Sequence, residues 1–159
     1  MGIFDGLNTA KLYENGTYLS DDFNGKLRVE KILVKDTRAG FKGFIVECTV
    51  TETNNEKDSI GSKRSWFQKM NPAETAWPAI KGFMYAMLGY DYSKDKEFIT
   101  STIEPQLDKL TDGAISDKQP FTGRIVAVQT QGITTKTNQK HFTRHNFYPA
   151  DKKVFDKAA

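Results

Sequence analysis

The sequence predicts a mainly β fold with some α structure: a five-stranded barrel with one helix between strands three and four. Three observations carry this prediction. In GFKGFIVECTVTET, residues 40–53, the apolar positions Phe44, Val46, Cys48 and Val50 fall at strict period two, the signature of a half-buried strand. A polar hairpin stretch and the basic-aromatic run SKRSWFQK come next. The period then becomes helical, with Ala76, Ile80, Phe83, Met84, Met87 and Leu88 on one stripe, before strand patterns resume at PFTGRIVAVQT and HFTRHNFY.

At 159 residues the chain is one domain with decorations. Residues 1–24 form an arm expected to pack on the barrel, residues 25–148 the barrel domain with an acidic insertion at 90–118, and residues 149–159 a tail. In strand one, apolar parity slips from Leu27 and Val29 to Ile32 and Val34, which predicts a bulge around Glu30 and Lys31. DTRAG is a turn, strand two follows it, and Asn54 to Ser59 form a hairpin loop into strand three, Ser62 to Lys69. In strand three Trp66 and Phe67 face opposite sides. Trp66, which shares its side with Arg64 and Gln68, is expected to be the exposed ring.

Asn71-Pro72 with Glu74 marks a helix start, and Gly89 a helix stop. Pro78 allows the main helix to start afresh there, with 72–77 as a separate turn. The insertion has weak helical character around Ile103 to Leu110. Strands four and five are expected at 120–130 and 141–148, joined by the polar loop QGITTKTNQK. The tail is expected to fray apart from Val154 and Phe155.

Charged residues make up 27% of the chain, the hydrophobic set 38% and aromatics 12%, a globular composition. The net charge of +3 is small, but it is unevenly spread. Residues 119–148 contain no Asp or Glu, residues 26–69 are net basic, and residues 90–118 are net acidic. The single Cys48 fits a buried small hydrophobe in a reducing compartment. No run reaches the roughly 20 apolar residues of a membrane helix, so no membrane partner is expected.

Three strands, a helix and two strands is the order of an OB-fold barrel, which binds oligonucleotides across strands two and three between the first-second and fourth-fifth loops. Single strands are held by cations that follow the phosphates and by rings on which bases stack. The candidate cations are Lys35, Arg38 and Lys42 around the first loop, Lys63, Arg64 and Lys69 on strand three, and Lys136, Lys140 and Arg144 in and after the last loop. The candidate platforms are Trp66, Phe41, Phe142 and Tyr148, with Phe67 as the alternative to Trp66.

Catalytic patterns are weaker, and the chain reads as a non-enzyme. His141 and His145 have zincin spacing, but on a strand they lie about 13 Å apart, too far to share a metal. There is no glycine-rich phosphate loop, and neither Ser65 nor Ser101 has a nucleophile context. No metal or cofactor is expected. The alternative reading is a protein-interaction or structural module of the same barrel type, such as a replisome or virion component, with 90–118 as its contact surface.

The opening MGIFDG, the extended YLSDDFNGKLRVEKILV, GFKGFIVECTV, and GSKRSWFQKM leading into AIKGFMYAMLGYD together resemble bacteriophage single-stranded DNA-binding proteins of the OB-fold type. The resemblance covers roughly the first 90 residues; the later strands fit the expected order. It implies sequence-tolerant coating of single-stranded DNA in phage replication, recombination or repair. It further implies phage replication or recombination proteins as partners and a location in the cytoplasm of the infected host; a homodimer is compatible with it. Many such proteins end in an acidic tail that recruits partner enzymes. This chain departs from that pattern, ending DKKVFDKAA.

Overall fold

The computed structural model describes residues 18–36, 40, 42–70, 73–134 and 141–155. They form a five-stranded antiparallel sheet in the order β3-β2-β1-β4-β5. Its strands are β1 (Asn24–Asp36), β2 (Lys42–Glu52), β3 (Lys63–Lys69), β4 (Ile125–Thr134) and β5 (His141–Pro149). Helix α1 (Ala73–Met87) lies between β3 and β4 in sequence, as the change of period predicts, and packs chiefly against β5.

The slip of parity in β1 is a bulge. Val29 pairs with Cys48 and Lys31 with Glu47, leaving Glu30 without an opposite number on β2. On the other edge of β1, β4 pairs only as far as Arg28. Beyond that point the Gln119 side chain stands in for a strand, its Oε1 accepting from Ile32 N at 2.8 Å and its Nε2 donating to Ile32 O at 2.7 Å. The backbone groups freed by the bend are thus satisfied.

The core lies between the sheet and α1. Phe44, Val46, Cys48 and Val50 are all buried, as are the six helix residues chosen by spacing. The Cys48 thiol donates to Arg64 O at 3.2 Å, and burial pushes its pKa up to about 12, so it is inert at neutral pH. Helix α1 runs unbroken through Pro78. It ends in a Schellman turn: Gly89 has φ +94°, Gly89 N donates to Ala86 O at 3.0 Å and Tyr90 N to Tyr85 O at 2.9 Å.

Residues 73–77 thus belong to α1 rather than to a separate turn, and four further expectations need correction. Trp66 is only 6% exposed. Its ring centroid lies 4.8 Å from Phe147, 5.5 Å from Phe83 and 6.1 Å from Phe44, because β3 is a sheet edge and needs a large side chain to reach β5 and α1. The insertion is more helical than its polarity suggested. A turn at Lys96–Phe98 leads through a π-helical stretch, Ile99–Ile103, and a 3-10 turn, Glu104–Gln106, into α2 (Leu107–Ala114). Ile99 and Ile103 anchor this run in a second cluster with Tyr85, Leu88 and Tyr90. Strand β4 begins at Ile125 rather than 120, after a turn in which Gly123 has φ +95°.

The tail, finally, is held through its whole described length. Val154 N donates to Leu88 O at 2.9 Å, Tyr90 Oη donates to Phe155 O at 2.9 Å, and Arg124 binds Met87 O, Lys152 O and the Asp151 carboxylate. No helix among the described residues is long and apolar enough to cross a membrane.

Removing the ring that joins β3, β5 and α1 should therefore cost stability rather than surface chemistry. Trp66→Ala is expected to destabilise by about 3–5 kcal/mol, read from the urea midpoint. A midpoint within experimental scatter of the parent would show that the ring does not carry this packing.

Candidate nucleic-acid interface

The outer surface of β1, β2 and β3 follows from the core side by alternation. With Phe44, Val46 and Cys48 inward, and Trp66 opposite Val46, the outward residues of β3 are Lys63, Ser65, Phe67 and Lys69. Cross-strand register then sets these residues in rows. Leu33, Ile45 and Phe67 form an apolar row; Ile45 is buried, and Leu33 and Phe67 are half-buried. On one side of it, Lys35 and Lys69 flank Gly43. On the other lie Lys31, Glu47 and Ser65, and then Arg28, Thr49 and Lys63.

Gly43 has a specific role in this arrangement. A Cβ there would stand 2.2 Å from Phe67 Cε2, so the ring lies over backbone that only glycine leaves open. The last row is tied together across three strands. Thr49 Oγ1 donates to Glu30 Oε2 at 2.7 Å, Arg28 Nε donates to the same oxygen at 2.9 Å, and Lys63 Nζ donates to Thr49 Oγ1 at 2.9 Å. The Thr49 hydroxyl, with Arg28 and Lys63 nearby, holds the Glu30 carboxyl below its ordinary range. Arg28, Lys31, Lys35, Lys63 and Lys69 thus share this face with two carboxylates, those of Glu30 and Glu47.

Beside Phe67 the face drops into a groove of about 880 Å³ along the seam between β3 and β5. Tyr18, Trp66, Phe67, Gln68, Arg144 and His145 are among its lining residues. Arg144 is exposed there. His145 Nδ1 lies 3.3 Å from Thr143 O, and since a carbonyl only accepts, Nδ1 carries the proton and Nε2 is left as a buried acceptor without a partner among the described residues. Burial pushes the imidazole pKa down to about 4, so it is neutral at pH 7.

Of the sequence-predicted residues, the structure places Lys35, Lys63, Lys69 and Arg144 on or beside this face, and it turns Phe67 rather than Trp66 toward it. Arg64 belongs elsewhere. Its Nε donates to Asp58 Oδ1 at 2.8 Å and its two terminal nitrogens bind Lys63 O and Lys57 O, with Asp58 only 1% exposed. Asp58 also accepts from Ser20 N at 3.0 Å, so Arg64 neutralises a buried carboxylate that fastens the arm, and it is a structural cation. Tyr148 is exposed but lines small hollows against Gly82 of α1, separate from the strand face. Lys42 is exposed at the hairpin mouth opposite Asp36. Arg38, Phe41, Lys136 and Lys140 lie outside the described residues; Phe142 is placed in β5 opposite Ile133, its side chain outside what is described.

Leu33, Arg28 and Lys31 were missed by sequence reasoning; the alternation of strand two already turns Ile45 to this side. A signal for Phe67 was present: it shares parity with both terminal lysines of β3, the more exposed side of that strand. No protein-family model matches the chain, and no curated protein matches it either.

Two measurements check the electrostatics. Arg64→Ala strips the partner from a buried carboxylate and should lower stability by about 3–5 kcal/mol, seen in urea denaturation; a loss typical of a surface lysine would place Asp58 in water. For His145, the folded value of about 4 lies below the ordinary 6.5, so the unfolded chain takes up the proton first. Its contribution is complete above about pH 6.5 and disappears as pH falls toward 4. The urea midpoint of His145→Phe should accordingly fall less than that of the parent between pH 7 and pH 4.5, and parallel declines would contradict a neutral buried imidazole.

Proposed function

We propose that this protein binds single-stranded DNA with little sequence preference, as a non-enzymatic coat in phage replication, recombination or repair. The observation that carries the reading is the β1-β2-β3 face, where the half-buried ring of Phe67 lies between the exposed Lys35 and Lys69 on one side and the exposed Lys63 and Arg28 on the other. A flexible strand needs this alternation, rings or apolar surface under the bases and cations under the phosphates. The duplex is poorly served by it, because paired bases do not offer their faces.

The sheet order supports an OB-type barrel reading, in which β3 and β5 are the strands that meet. Here they meet through Trp66 and Phe147 rather than through ladder hydrogen bonds. The seam groove next to Phe67, with Arg144 at its edge, continues the path available to the strand. Phe67 is the base platform in this reading, and Lys63, Lys69 and Lys35 are phosphate contacts.

The test is titration of fluorescently labelled oligo-dT, oligo-U and duplex DNA at several salt concentrations. Oligo-dT should bind with submicromolar affinity that falls steeply as salt rises, and the duplex should bind more weakly. Phe67→Ala should weaken oligo-dT binding by about 1–3 kcal/mol, with the urea midpoint showing that the domain still folds. Absence of oligo-dT binding at low salt would overturn the proposal, and unchanged affinity in Phe67→Ala would remove this face from it.

A further inference from the structure

A second groove, about 570 Å³, runs between α1 and the helical run of the insertion. Its floor is apolar, drawn from Val34, Phe44, Met70, Ile80, Leu107 and Ile115. On the α1 side stands Trp77, 47% exposed. On the insertion side stand three carboxylates, Glu104, Asp108 and Asp112. Their four-residue spacing sets them along one side of the helical run.

These three acids are not equivalent. Lys81 reaches across from α1 to Glu104, Nζ to Oε1 3.1 Å, and neutralises it. Asp108 and Asp112 are exposed and have no ion-pair partner among the described residues. An apolar trough is thus bordered by an exposed indole on one wall and two uncompensated carboxylates on the other.

We propose that this groove docks a cationic amphipathic segment of a protein partner. The segment's apolar side lies on the floor, and its Arg or Lys side chains meet Asp108, Asp112 and the face of Trp77. Charge decides the class of occupant: the carboxylates repel nucleic acid and anionic lipid, and they attract a basic peptide. An indole face adds a cation–π site for a guanidinium, and tryptophan is the residue type most often found to anchor interfaces. From Glu104 to Ile115 the helical run spans about 17 Å at 1.5 Å per residue, room for a partner helix of about three turns. The strand face is basic and this groove acidic, so the two surfaces select opposite partners, and this inference does not depend on DNA binding.

The probes are two synthetic helical peptides of equal length, one carrying Leu and Arg at amphipathic spacing, the other with Glu at each Arg position. The arginine peptide should bind saturably and one-to-one, with a change in the emission of Trp77 that is lost in Trp77→Phe. Asp108→Lys with Asp112→Lys should weaken it at least about tenfold, while the urea midpoint stays that of the parent. Failure of the arginine peptide to bind, equal binding by the charge-reversed variant, or equal binding of the glutamate peptide would each overturn the proposal. Concentration-dependent self-association without peptide, read by sedimentation and abolished by Trp77→Glu, would overturn it in favour of a second copy of the chain.

Discussion

The contact of Trp66 with Phe147 and Phe83 is the constraint on which the rest of the molecule depends. Strands β3 and β5 are the two edges of the sheet, and no backbone ladder joins them among the described residues. An indole inserted between them, backed by a helix phenyl ring, supplies the missing connection at aromatic pair distances of 4.8 and 5.5 Å. Such pairs are worth about 0.5–1.5 kcal/mol each beyond the area they bury. The larger effect is on register. With Trp66 turned inward, pleating leaves no choice for its neighbours, and Lys63, Phe67 and Lys69 must face out. A core side chain in this way determines the chemistry of the opposite surface.

Positive charge is divided between two tasks. Arg64 and Arg124 are used inside the fold, one neutralising Asp58 under the arm, the other gathering Met87, Lys152 and Asp151 where the tail crosses the end of α1. Guanidinium suits this work because its several donors can bind carbonyls and a carboxylate at once. Lysines dominate the outer strand face. This division also separates two surfaces, since three acids of the insertion, Glu104, Asp108 and Asp112, border the second groove rather than the strands.

Much of the fold was legible because it rests on period. The alternation of Phe44 to Val50, the stripe from Ala76 to Leu88, the stop at Gly89 and the slip at Glu30 all express local backbone geometry, and each stands where the sequence placed it. What was illegible depended on distant partners. Whether Trp66 or Phe67 turns inward is fixed by pairing with β2 and contact with β5, and neither can be read from β3 alone. Arg64 looked like a ligand cation because its counter-ion, Asp58, sits in a loop whose fold was not apparent. The insertion looked loosely ordered because its anchoring residues, Ile99 and Ile103, are sparse and one lies beside a proline-bearing turn. Charge told where cations are plentiful, not which of them the fold consumes.

The close approach of Phe67 to Gly43 couples two positions on neighbouring strands. They share one volume, since a side chain at 43 would enter the space the ring now fills. A larger residue at 43 is accommodated only if the ring at 67 swings away from the strand beneath it. The resting place of an aromatic side chain is thus set by the lack of any side chain on the strand beside it.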